Sequence, residues 1–474
     1  MKTKIITAIT LLFSVTSCTS FLDERPQSDL TVDTFWKTET DADVGVLAIY
    51  NAFSKAMSPG LWYWGEVRAD NFTYNERDGQ DERELMENNI TYENPAAVWT
   101  KLYDVIGKAN AAIKYIPQID MLYTTRDHLL AEAYTLRAWA YFYCIRVWGD
   151  VPLYLEPVEE FDSSSIFRKR TSKDYILEEV ILRDLEEAYY LIDATVVSGR
   201  KRINVATICA LLMDVYAWNH DYDMVVKTME ERVQNLDNRH ESGSEKWLEL
   251  SPGGDAFITW RSMFIESSTG EIPNEVWFKL GYERYGNGVH TAVRFFTGST
   301  AKLVPSENLL TACYNPSDIR TQAQWIYRAD GDPRFNLKFW PDGSVFTGSN
   351  ATYSDNDLVM CRYSDVVLLY AEALCMLGRQ TDAVVELNRT HMRAGNPQYT
   401  IASFASKDEL LDAILLERRR ELVGEGKRWF DLVRTGRWKE HSKVTEERDL
   451  LFPIHRDHLI ANPNLVQNDG YPMP

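Results

Sequence analysis

The chain has 474 residues, 45% hydrophobic and 12% aromatic, so it can bury a large core and is too rich in apolar and ring side chains to stay a solvated coil. Its formal net charge of −19 repels phosphate backbones, which argues against nucleic acid as a partner.

At the start, Lys2 and Lys4 precede an apolar run from Ile5 to Val15 and then small residues, the pattern of a secretory signal over residues 1–17. The run is too short to span a bilayer. Val15-Thr16-Ser17-Cys18 resembles a bacterial lipobox, with Val at the first position where Leu is commonest. It predicts lipidation of Cys18, with an ordinary signal peptide cut near Cys18 as the alternative. Loss of Lys2 and Lys4 takes the charge from −19 to −21. Several acyl chains on one Cys anchor a protein stably where a single chain does not. Cys144, Cys209, Cys313, Cys361 and Cys375 then remain, an odd number without C-x-x-C spacing, and no disulfide is required.

Residues 18–40 read as an extended lead-in from the lipid. Helical periodicity follows over Asp41–Met57. Asn94-Pro95 forms a cap and first-turn proline before a stripe of Trp99, Leu102, Tyr103, Ile106, Ala109, Ile113 and Ile116. Leu129–Val147 is apolar nearly all round, the mark of a central buried helix. Helices are expected again at Ile176–Ile192, Val205–Asn219, Tyr363–Leu377, Thr381–Ala394 and Lys407–Val423. Between about 235 and 355 the periodicity fades and Gly and Pro become frequent, which predicts a loop-rich region with some short strands. Ala371, Leu374 and Ala383, with Gly378 between, match the spacing of a tetratricopeptide helix pair, and Met213, Tyr216, Tyr222 and Val225 occupy corresponding places in an earlier one. Such pairs bury their apolar faces only by stacking. The expected fold is therefore mainly α: one domain over 41–474, with a helical-repeat scaffold mainly in 41–234 and 356–474 and the loop-rich part packed on it.

Glu417–Trp438, ERRRELVGEGKRWFDLVRTGRW, carries seven Arg/Lys against four acids and is the most basic stretch of an acidic chain. Successive helical residues turn by about 100°, so Arg418, Arg419 and Arg420 cannot share one phosphate-binding face. Three-residue spacing predicts the ion pairs Glu417–Arg420 and Arg418–Glu421, and Trp429, Phe430 and Trp438 offer rings on which guanidinium groups can stack. A structural role is expected.

This segment, followed by LLFPIHRDHLIANPNLVQNDGY at 450–471, closely resembles the C-terminal signature of the SusD/RagB family of Bacteroidetes outer-membrane nutrient-binding lipoproteins. CTSFLDERP (18–26), EVRADN (66–71), VWTKLYDVIGKAN (98–110), AEAYTLRAWAYFYCIRVWGDVPL (131–153) and SDVVLLYAEALCMLG (364–378) are similar to further family landmarks, in family order. His455 stands where the family commonly has Pro and His458 where it commonly has Glu. The resemblance implies four tetratricopeptide-like helix pairs and a cell-surface lipoprotein of the outer membrane. It also implies non-catalytic binding of a glycan or other nutrient, and a SusC-like TonB-dependent transporter as partner.

A sugar site needs flat aromatic faces and a few planar polar groups. Two irregular segments supply that mixture: 69–94, with Asn71, Tyr74, Arg77, Asn89 and Tyr92, and the stretch containing Trp260, Tyr282, Tyr285, His290, Phe295 and Phe296. His455 and His458 follow Pro453 without a third ligand, so no metal is expected there. DGD at 330–332 and DND at 355–357 lack the EF-hand pattern and read as solvated turns rather than calcium sites. No cofactor is implied. No GxSxG, Walker loop or HExxH occurs, and no carboxylate pair stands out. The expectation is a binding protein that is not an enzyme, against a lipid-anchored glycoside hydrolase or a helical scaffold with protein partners only.

Overall fold

The computed structural model describes residues 35–74, 79–159, 162–192, 200–236, 262–264, 273–282, 295, 303–313, 317–327, 333–336, 338 and 357–473, and it is mainly helical. Helix α1 (Glu39–Gly65) begins where Thr38 and Asp41 cap each other: Thr38 Oγ1 accepts the Asp41 N–H at 3.2 Å and the Asp41 carboxylate accepts the Thr38 N–H at 2.8 Å. It kinks at Ser58-Pro59, where proline supplies no N–H to the ladder. Its last residue, Gly65, lies so close to Gly426 that a Cβ would overlap the Gly426 carbonyl, while Gly426 itself holds φ +73°. The end of α1 and the turn after the basic helix therefore touch backbone to backbone.

Helix α2 (Gln80–Met86) is short. Helices α3 (Thr100–Tyr115) and α4 (Tyr123–Trp148) pack against each other and against α1. From Leu129 to Trp148 every residue of α4 except Tyr134 is buried, as its all-round apolarity predicts. Helix α5 (Leu182–Leu191) lies on α4, locked by a bidentate Arg137–Asp184 pair at 2.7 and 2.8 Å. Two helix pairs follow the expected spacing: α6 (Val205–Trp218) with α7 (Tyr222–Lys227), and α8 (Tyr363–Met376) with α9 (Gln380–Arg393), the latter turning at Gly378 with φ +80°. Helices α10 (Lys407–Leu422), α11 (Arg428–Arg434) and α12 (Arg456–Ala461) complete the C-terminal part. No described helix is long and apolar enough to cross a membrane.

The described strands are short and antiparallel: β1 (Phe72–Tyr74) with β5 (Leu303–Pro305), β2 (Val151–Pro152) with β3 (Arg170–Thr171), β4 (Val276–Leu280) with β8 (Leu358–Arg362), and β6 (Trp325–Tyr327) with β7 (Pro333–Asn336). Every residue of β4 and β8 is buried. One contiguous apolar core runs from Ala42 through Trp277 and Phe278 of β4 to Leu465.

The basic segment is interior. Arg418, Arg419, Arg428 and Arg434 are all buried, and each finds an acceptor on a different element. Arg418 donates to Asp431 at 2.9 Å and to Asp365 at 2.8 Å, so the expected Arg418–Glu421 pair is replaced; Arg420–Glu417 remains only at 4.0 Å. The physical reason is that α10 is surrounded, and partners on neighbouring elements displace partners along the helix. Stacking also comes from outside the segment: Arg68 covers Trp429 at 4.4 Å and Arg146 covers Phe430 at 3.9 Å.

Glu417 and Glu421, with Glu425 just beyond α10, anchor cations from the loop-rich region and its exit strand. Arg320 donates to Glu417 at 2.7 Å and to Glu421 at 2.9 Å, and Arg362 donates to Glu425 at 2.8 Å. Lys338 Nζ donates to the Glu421 carbonyl at 2.8 Å. Burial pulls the Lys338 ammonium down to about 8 in spite of Glu425 beside it. Burial pushes the Glu421 carboxyl up, but Arg393, Arg362 and Arg320 together hold it well below the usual carboxylate range.

Candidate functional site

After the kinked α1, residues 66–71 turn sharply towards β1, and each polar group in that turn is tied down. Glu66 is fully buried; its carboxylate accepts the Gly426 N–H at 3.0 Å and the Asn71 amide at 2.9 Å. Burial pushes the Glu66 carboxyl up to about 7 against these donors. Asn71 Oδ1 accepts Arg419 Nε at 2.8 Å. Asp70 accepts Arg428 at 2.8 and 3.1 Å, and His441 Nδ1 lies 3.0 Å from its other face. Burial acts to raise the Asp70 carboxyl, but hydrogen bonds from His441 and Arg428 prevail and hold it well below the usual range.

From this root β1 pairs with β5 in the register Phe72↔Pro305, Thr73↔Val304 and Tyr74↔Leu303. Ser306 extends the pairing, donating its N–H to the Asn71 carbonyl at 2.9 Å and its hydroxyl to the Asp70 carbonyl at 2.6 Å. The pairing ties the first of the segments singled out from the sequence to residues 303–305, and of the second segment the described Phe295 lies against the end of α1. Phe295 packs edge-on against Tyr63 at 5.2 Å and against Trp62 at 5.4 Å. Half-buried Tyr63 donates its hydroxyl to Glu82 at 2.9 Å.

Bordering β1 lies an open cleft of about 330 Å3, whose polar lining includes Arg68, Asp70, Asn308, Glu440, His441 and Lys443. It has the size and the polar content to hold a hydroxylated ligand. Two carboxylates line it, Asp70 and Glu440; Asp70 is saturated by cations and stays anionic, whereas the carboxyl shifted towards neutrality, Glu66, is sealed from solvent and poorly suited to acid catalysis. Asp70 and Glu66 do not form the acid and nucleophile pair that glycoside cleavage requires.

Of the residues expected to bind, Asn71 is buried and both ends of its amide are used internally, so it shapes the site rather than meeting a ligand. Tyr282 is likewise buried, its hydroxyl donating to the Ser54 carbonyl at 2.7 Å, because β4 carries the chain into the core up to Leu280. Phe295 is buried against Trp62 and Tyr63. Tyr74 lies at the end of β1. Asn89 is exposed, and half-buried Tyr92 accepts the Arg456 N–H on its carbonyl at 2.8 Å. Arg77, Trp260, Tyr285, His290 and Phe296, like Cys18, lie outside the described residues. Tyr63, Asp70, Asn308, His441 and Lys443 escaped the sequence reading. Asp70 lay within the EVRADN landmark, but nothing local marks His441 or Lys443, which reach the cleft only through the path of the C-terminal segment.

His458 stacks on Trp99 at 4.8 Å and accepts its backbone N–H at 3.2 Å, while His455 Nδ1 accepts the Asp457 N–H at 3.2 Å. Asp357 of the DND stretch is paired with Lys279 at 2.5 Å and Lys201 at 3.3 Å, a setting for a carboxylate already neutralised by ammonium groups.

Residues 334–471 match the sequence model of the SusD family, and residues 20–216 match a family described as starch-binding and associating with the outer membrane. The SusD-like protein P38 of Formosa agariphila is 31% identical over 493 residues, covering 96% of each chain, and the SusD-like protein P2 of the same organism is 26% identical over 99% of this chain and 100% of its own. Among solved structures, Bacteroides fragilis NanU superposes with a TM-score of 0.76 at 22% identity, over 94% of this chain and all of its own. A SusD homologue from Bacteroides thetaiotaomicron gives 0.74 at 24%, over 91% of this chain and 98% of its own. At these identities the superpositions speak for the fold.

Proposed function

The chain belongs to the SusD family, and from that membership we propose that it is a non-catalytic receptor that binds an oligosaccharide at the cell surface, is anchored through a lipid on Cys18, and hands its ligand to a SusC-like TonB-dependent transporter. The observation that supports the binding role is the open cleft beside the paired β1 and β5, where polar groups such as Asn308, His441 and Lys443 stand among apolar ones. The outer-membrane and carbohydrate parts of the reading rest on the description of the matching family and on the naming of a 28% identical stretch of the starch-binding protein SusD of Bacteroides thetaiotaomicron, which covers 31% of this chain. The non-catalytic part rests on the charge states of Asp70 and Glu66.

A glycan panel tests it. Saturable retention of one polysaccharide with no new reducing ends supports the receptor. Turnover that a single carboxylate substitution abolishes overturns it in favour of a hydrolase, and capture of a transporter without any glycan bound favours a scaffold. Tyr63→Ala removes one ring from the site and is expected to weaken binding by about 1 kcal/mol, roughly five-fold, with Tyr63→Phe close to wild type. Equal affinity of all three chains would take Tyr63 out of the site.

A further inference from the structure

We infer that Arg419 is the positioning residue of this site: one buried guanidinium on α10 that grips the roots of both β1 and β5 and so sets the spacing of the two stretches that line the cleft. The geometry is threefold. Nε donates to Asn71 Oδ1 at 2.8 Å and Nη2 to the Asp70 carbonyl at 2.8 Å, both immediately before β1, while Nη1 donates to Asn308 Oδ1 at 2.5 Å, just after β5. Arg428 also reaches Asp70, but only on the β1 side. Three acceptors flanking two separate strands are served by one planar fork, a task a lysine cannot perform from the same Cα. Arg419 is 4% exposed, so water does not compete for these bonds.

Arg419 itself does not line the cleft. It acts through the spacing of the stretches 70–73 and 306–308, which do. Its functional consequence rests on the receptor reading above, whereas its structural consequence does not. A residue that only stabilised the fold would lower the melting temperature and leave the hairpin's local opening in proportion to the rest; a positioning residue loosens β1 and β5 first.

The experiment compares Arg419→Met, Arg419→Lys and Asn308→Ala with a control, Arg434→Met, which removes an equally buried guanidinium bound to Glu372 at 2.7 and 2.8 Å away from the hairpin. Asn308 is exposed, so its substitution leaves the core intact and keeps the test available should Arg419→Met fail to fold. Hydrogen exchange at residues 72–74, 303 and 304 is the first readout. Exchange about ten-fold faster in Arg419→Met, a few-fold faster in Asn308→Ala and not restored by Arg419→Lys supports the inference, provided Arg434→Met leaves these amides in step with α4. Hairpin exchange in Arg419→Met and Asn308→Ala indistinguishable from wild type or the control overturns it. Retention in affinity gels cast with soluble starch is the second readout, with at least a ten-fold loss expected for Arg419→Met alone. Wild-type protein that starch fails to retain counts against starch as ligand, while the exchange readout still decides the role of Arg419.

Discussion

A single ring nitrogen carries the clearest pH dependence among the described residues. His458 accepts the Trp99 N–H through Nε2 and stacks on the indole, so it fits only when that nitrogen is unprotonated. Burial, then the neighbouring His455, pushes its pKa down to about 4 against an ordinary 6.5, with Asp457 opposing. The unfolded chain thus takes up the proton first: the contribution of His458 is constant above pH 6.5, falls as pH drops towards 4, and is fully lost below that. The loss amounts to about 3 kcal/mol at most. His458→Gln is expected to flatten this part of the stability profile measured by denaturant titration; an unchanged slope would show that the proton binds elsewhere. The same scale explains two misplaced ligands. Asn71 and Tyr282 have the composition of a sugar site and stand beside Gly or charged residues in sequence, yet their partners, Arg419 and the Ser54 carbonyl, lie hundreds of residues away and are invisible to local pattern.

At the scale of elements, α10 is the place where sequence reading succeeded in kind and failed in detail. Its helix, its burial of charge and its structural role follow from spacing and composition. Its partners do not, because Arg320, Arg362 and Arg393 approach Glu421 from other parts of the chain. Once such a site is buried, removing one member leaves cations without an acceptor. Glu421→Gln is therefore expected to cost about 3–5 kcal/mol in chemical unfolding at neutral pH. A cost under 1 kcal/mol would mean that Glu275, Glu417 and Glu425 carry the network without it. The helix pair α8/α9 was legible because small residues and a turning glycine stand at the tetratricopeptide spacing, with α6/α7 a more degenerate copy, whereas β1 and β5, three residues each and paired across 229 to 233 positions, offered no such period.

For the whole molecule, scaffold and loop-rich part share one apolar core, in which Trp277 and Phe278 of β4 lie with residues of α1 and α4. Phe278 packs 6.2 Å from Tyr50 and 5.8 Å from Trp139. We expect residues 41–474 to unfold in a single calorimetric transition; two separated transitions would divide the loop-rich part from the helices. Membership of the family could be read from motifs along the chain. The ligand could not, since the residues that line the cleft, such as Asn308, His441 and Lys443, come from distant parts of the chain and carry no local motif.

The cations buried against α10 have a bearing on how such a receptor can be re-targeted. Arg320, Lys338 and Arg362 plug into acidic sockets on and beside α10, so a segment exchanged between them inherits its docking from these cations. A transplant that kept the three cations would seat itself on the same helix, and one that lost them would leave Glu417, Glu421 and Glu425 crowded together in the dry interior.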